Sequence, residues 1–205
     1  MKRFNMPVLF LPVLFAALSC GRGESWTVAE NAIVSAPVPL RVLTIYDRAD
    51  SLVLRTPCLE LSAEDMASPV YGQLAQALLG TVTSPEQDGV GIAGPQIGIS
   101  RRVVAVQRFD KEGEPFEVYP NVRISGVFGE KQPGREGCLS IPGWRGEVLR
   151  FQEVEVSYTS PVTLRDTVER VKGFSAVIFQ HECDHLDGVL YTDKTVEGTL
   201  QKLAE

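Results

Sequence analysis

The chain's two histidines stand four residues apart in Gln180-His181-Glu182-Cys183-Asp184-His185. On a helix, that spacing puts both imidazoles on one face about one turn apart, where they can reach a single metal ion. Glu182 follows the first histidine and can lie beside the ion's open position, where a carboxylate takes a proton from water. The bland alternative is a solvated or core helix face, and concentration of every histidine in this stretch favours the metal. Two imidazoles hold a divalent ion poorly, so a thiolate or carboxylate must complete the set. Cys183 lies about 200° round the helix from His181 and should face away, as a buried apolar cysteine. Cys58, beside Pro57, also reads as structural, with pairing to Cys183 left open. Cys138 sits in Glu136-Gly137-Cys138-Leu139-Ser140, where glycine permits an unusual turn, and is the best third ligand. A metal there would deprotonate the thiol.

A third stretch, Gly89-Val90-Gly91-Ile92-Ala93-Gly94-Pro95-Gln96, is glycine-rich. It lacks the βαβ context and the Lys-Ser or Lys-Thr of a nucleotide loop. It reads instead as a backbone that approaches a peptide-like substrate, with the Gln96 amide free to donate a hydrogen bond. The charge balance agrees. The chain carries 20 Lys plus Arg against 26 Asp plus Glu, a net charge of −6, which offers no basic surplus for nucleic acid.

The elements that must position these residues follow from patterning. At 205 residues and 44% hydrophobic content, the chain suits one domain with a full-sized core. Lys2 and Arg3 precede an uncharged apolar run, Met6 to Leu18, that ends at Ser19-Cys20-Gly21. This has the form of an export signal whose Cys20 would carry a lipid, over residues 1–20, with Ala17 a departure from the usual box. The expected location is then the bacterial cell envelope, with the membrane reached only through that anchor, or the cytoplasm if the segment is not a working signal. Residues 21–39 are polar and weakly patterned, as a tether would be, and residues 40–205 form the domain. Arg41 to Ile45 suits a short strand or extended arm. Ser62 to Leu79 has helical spacing, capped by Ser62 and ended by Gly80. Arg102–Gln107, Phe116–Val122 and Glu153–Tyr158 read as strands. A last helix runs from about Ser175 to Asp187 with Gly188 at its end, and a weaker helical tail follows Glu197. The order predicts an α+β fold.

GVGIAGPQ, EGCLS and QHECDH, in this order and with flanks EGCLSIPGWRGEVLR and QHECDHLDGVLYTDK, resemble the three signature motifs of peptide deformylases. Similarity spans about Leu43 to Lys194. The resemblance implies the deformylase fold, antiparallel β-sheets packed around a central metal-binding helix. It implies Cys138, His181 and His185 as ligands of Fe²⁺, with Zn²⁺ or another divalent metal as alternatives. Water is then the nucleophile and Glu182 the general base, later acid. Gln96 and the Leu139 backbone N–H stabilise the oxyanion. Gly91 pairs with the substrate main chain, while Val90, Val177 and Ile178, with Phe174 as a candidate, form a slot for methionine. The implied substrate is an N-formylmethionyl peptide, and the expected oligomeric state is a monomer. Glu136 and Arg150 are a candidate ion pair steadying the cysteine loop. Departures from the pattern are Gly94 for a second alanine, expected to loosen its loop, Asp47 where proline is common, and valine rather than proline after Asn121. Competing functions are an HExxH-type zinc peptidase cutting internal bonds and a non-catalytic binder of formyl-peptides. The first leaves the EGCLS and glycine-loop matches unexplained, and retention of all ligands and Glu182 opposes the second.

Overall fold

Ser62 and Pro69 decide how the first helical stretch begins and where it breaks. The Ser62 hydroxyl accepts from the Asp65 backbone N–H while the Asp65 carboxylate accepts from the Ser62 N–H, a reciprocal cap. Proline disfavours helical backbone in the residue before it, and Ser68 is extended at ψ 153°. The single helix expected over 62–79 is therefore two: α3 (Ala63–Ala67) and α4 (Pro69–Val82), with Pro69 at the first helical position.

The chain is seen here as a computed structural model that describes residues 25–87 and 89–203. Before α3 come α1 (Val28–Val34) and α2 (Arg48–Leu54), the latter capped by Asp47, whose carboxylate accepts from the Ala49 and Asp50 backbone N–H groups. A three-stranded antiparallel sheet follows, β1 (Gly91–Ala93), β2 (Val103–Gln107) and β3 (Phe116–Pro120), in that order. The second sheet orders β4 (Arg123–Glu136), β5 (Trp144–Thr159) and β6 (Asp166–Lys172), and β7 (Gln201–Lys202) pairs with the start of β5. Helix α5 (Gly173–Leu186) contacts strands of both sheets. The α+β architecture with antiparallel sheets around this helix is thus as the sequence implied.

Two differences from expectation have physical causes. Residues 21–39, expected as a tether, are folded from Ser25 onward. Glu30 on α1 forms a two-point ion pair with Arg101, at 2.7 and 3.1 Å, while Trp26 lies under the same guanidinium. Arg101 is only 2% exposed, so this N-terminal segment covers a charge that would otherwise face water. The helical tail expected after Glu197 is instead the short strand β7.

Apolar burial falls into three clusters. One lies between α4 and the first sheet (Leu74, Leu78, Ile92, Val103), and one lies between the sheets and α5 (Val104, Val154, Val171, Phe179, Leu186). A small one holds Ile141, Val148, Leu190 and Tyr191. Residues 41–45 form no regular strand, yet they tie two motifs together: Leu43 N donates to Gln96 O at 2.8 Å and Ile45 N to Ser140 O at 3.1 Å. Asn121, at φ 55°, places its amide in a two-point bond with the Leu61 backbone, at 2.7 and 2.8 Å.

Candidate metal centre and active-site cleft

The ligand helix is fixed to the second sheet before any metal is considered. Gln180 Nε2 donates to Phe151 O at 2.7 Å and its Oε1 accepts from Phe151 N at 3.2 Å, so one side chain staples α5 to β5. On the same helix Cys183 points into the apolar cluster with Cys58, and both are free thiols. Burial pushes each thiol up to about 12, and neither is near thiolate form. Leu186 closes the core side, Asp187 is the C-cap and Gly188 takes φ 73° directly after.

The opposite face carries the histidines. Ligating atoms of Cys138, His181 and His185 all lie within 4.8 Å of one another, and Cys138 Sγ is 3.1 Å from His185 Nε2. Cys138 reaches this point on the turn between β4 and β5, closed by Ile141 N donating to Cys138 O and Ser140 N to its sulfur. Burial would raise the Cys138 thiol, but the neighbouring imidazoles of His185 and His181 overcome it and hold it at about 5. A thiolate and two imidazoles converging at this separation form a donor set that fits a divalent transition metal.

Around this set lies a chain of charged groups. His181 Nδ1 donates to Glu136 Oε2 at 2.8 Å, which leaves its other nitrogen for the metal side. Arg150 binds Glu136 twice, at 2.7 and 3.0 Å, and reaches Asp184 on α5 at 2.6 Å; Lys194 completes the run on Asp184. Burial alone would raise the Glu136 carboxyl, yet the His181 and Arg150 bonds pull it down to about 2. The Glu136–Arg150 pair was legible in the sequence. The reach of Glu136 to His181 and of Arg150 to Asp184 was not, because a glutamate two residues before a cysteine carries no local mark of its partner. Tyr191, stacked on His181 at 6.1 Å, was missed for the same reason.

A cleft of about 450 Å³ opens on the centre. Glu182 stands in it, 4% exposed, with one carboxylate oxygen unpartnered. Burial raises it to about 7 in spite of the two imidazoles. Its other oxygen lies over Gly91: a Cβ there would sit 2.5 Å from Glu182 Oε1 and 2.7 Å from Ile178 Cγ2. Only glycine lets backbone and carboxylate approach so closely. Gln96 accepts from Ala93 N at 2.8 Å, which turns its Nε2 toward Ser140 Oγ (3.2 Å) and Cys138 Sγ (3.6 Å). Leu139, Val90, Val177 and Ile178 line the same cleft, as does Phe174, half-exposed and leaning on Phe109 at 5.2 Å. Gly94 does the reverse of loosening its loop. A Cβ would fall 2.7 Å from the carbonyl oxygens of both Ile99 and Arg101, so glycine allows a tighter approach here than alanine would.

The polypeptide deformylase family model matches residues 40–200. The chain belongs to the peptide deformylase family. A peptide deformylase of Roseiflexus sp. (strain RS-1) is 34% identical over 178 residues, which cover 80% of this chain and 94% of that protein. The class I type b deformylase from Acinetobacter baumannii, solved with Met-Ala-Ser bound, superposes with a TM-score of 0.68 at 34% identity, covering 78% of this chain and 99% of that one. The deformylase from Thermotoga maritima gives 0.66 at 29% identity, covering 77% and 97%. Like other deformylases, this one is a metal-dependent hydrolase. The expected envelope location is overturned, since deformylase homologues are cytosolic. No helix among the described residues is long and apolar enough to cross a membrane. The signal-like residues 1–20, Cys20 included, lie outside the described residues.

Proposed function

We propose that this deformylase removes the formyl group from N-formylmethionyl peptides with the residues gathered in the cleft. The observation that carries the reading is the convergence of Cys138, His181 and His185 at one cleft with Glu182, one of whose carboxylate oxygens has no partner among the described residues. A divalent ion held by those three would polarise the formyl carbonyl and make water a nucleophile at neutral pH. Glu182 accepts the proton of the attacking water and returns it to the amine as the formamide C–N bond breaks, giving formate and a free amino terminus. Gln96 Nε2 and the Leu139 N–H donate to the oxygen on which charge grows. The Gly91 backbone aligns the peptide, and Val90, Val177 and Ile178 receive the methionine side chain.

Fe²⁺ is the metal we assign, Zn²⁺ being the alternative that the same thiolate and imidazoles would accept. All the residues of the centre come from one chain, which supports action as a monomer. An internal-bond peptidase would leave unexplained why the cysteine turn and the glycine loop close on the same cleft. The test is formate release from a formyl-Met peptide by protein prepared anaerobically with iron. Turnover is expected, and Glu182→Gln should lower kcat by roughly 10²- to 10⁴-fold while metal content is retained. Release of internal fragments without formate would reject the reading.

A further inference from the structure

Arg135 and Arg145 both line the cleft, are solvent-exposed, and their side chains enter no hydrogen bond or ion pair among the described residues. Their placement follows from the β4–β5 register. Glu136 pairs with Gly146 and Arg135 with Glu147, so strand alternation puts Arg135 and Arg145 on the same face of the hairpin. The stem of Arg145 lies along the cysteine turn: a Cβ on Gly137 would be 3.4 Å from Arg145 Cγ and 3.6 Å from Nε. Among the described residues, the carboxylates lining the cleft are Glu136 and Glu182, both buried, the first already held by Arg150 and His181. Glu147 shares the arginines' face but does not line the cleft and forms no ion pair among the described residues. In a chain of net charge −6, the mouth of the cleft thus carries two guanidinium forks that no carboxylate engages among the described residues.

We propose that this mouth recognises a carboxylate carried by the substrate beyond its formyl-methionine, with Arg135 and Arg145 as specificity-determining residues. The inference rests on the deformylase reading above and adds a preference to it. A guanidinium binds a carboxylate through two parallel N–H donors. The carboxylate is either an Asp or Glu side chain or the free C-terminus of a short peptide.

The test compares three substrates on the iron-loaded full chain: formyl-Met-Ala-Ser amide, formyl-Met-Ala-Ser as the free acid, and formyl-Met-Ala-Asp amide. In parallel, calorimetry measures binding of the three unformylated peptides. At low salt, one or both acidic peptides should exceed the neutral amide by roughly three- to tenfold in kcat/KM, carried by KM. The peptide that gains tells which carboxylate is read. The ratio should fall towards one at about 0.5 M salt and in Arg135→Gln/Arg145→Gln, and the single Arg145→Gln should lower it in part. Arg135→Lys/Arg145→Lys should keep charge preference but lose some of the fork's advantage. Equal use of all three peptides at low salt, or a ratio unmoved in both glutamine variants, overturns the proposal. Absence of formate from every peptide would instead defeat the deformylase reading, and the calorimetric ratios would still decide whether the mouth prefers the acids.

Discussion

Glu136 acts through its bond to His181, a candidate metal-side histidine. Its bond fixes which nitrogen of His181 carries the proton, and Arg150 holds the carboxylate in place from behind. Residues that orient a metal-ligating histidine are worth about 10- to 100-fold in metal affinity. Glu136→Gln should therefore weaken metal binding by about that factor, read by competition with a chelating dye, while the apo protein stays folded by circular dichroism. Unchanged affinity would show that the imidazole is held by packing alone. Histidine count, spacing and the Gly-Cys turn made Cys138, His181 and His185, which the fold brings together, stand out in the sequence because each is a local signal. The Glu136–His181 contact spans 45 residues, and nothing short of the fold brings those two together.

At the level of elements, β2, β3, the later part of β5 and the last helix could be read from β-branched or alternating runs and helical spacing, whereas β1, inside the glycine-rich motif, could not. The long hairpin of β4 could not. Gly126, Gly129, Pro133 and Gly134 interrupt its apolar pattern, two register shifts break its pairing, and most of its side chains are exposed, so neither period of two nor burial marks it out. Helix α1 was hidden differently. Seven residues of modest apolarity gain their hold from Glu30 and Trp26 meeting Arg101, far along the chain. Gly94 gives an element-level prediction against the family pattern. Gly94→Ala should destabilise the protein by about 1–3 kcal/mol, as overpacking does, measured by urea denaturation. A neutral or stabilising result would mean that the turn at residues 94–97 shifts away from Ile99 and Arg101 at no cost.

Across the whole molecule, the two sheets are joined by a second charged cluster distant in sequence from the metal motifs. Arg108, 1% exposed, donates to Asp110, Glu117, Glu169 and the Tyr119 hydroxyl, so β6 is tied to the strands of the first sheet. Burial opposes ionisation of Asp110 and Glu117, but bonds from Arg108 and from Lys111 respectively overcome it and hold both carboxyls below their ordinary 3.8 and 4.5. A carboxyl depressed by folding stabilises the native state above its unfolded pKa and loses that contribution as pH falls through the folded one. This cluster's contribution to thermal stability should thus be level above about pH 5 and drop below it. Arg108→Gln should lower stability at neutral pH and flatten the acid limb. An acid limb of unchanged slope in that variant would place the sensitivity elsewhere.

Helix α5 faces two ways: one side brings His181 and His185 to Cys138, and Cys183, Phe179 and Leu186 on its other sides are sealed into the apolar interior. Anything that lets the helix roll or slide must spoil both at once. Resistance to chelators and resistance to denaturants should therefore rise and fall together, the grip on the metal being a gauge of how firmly the two sheets clasp a single rod.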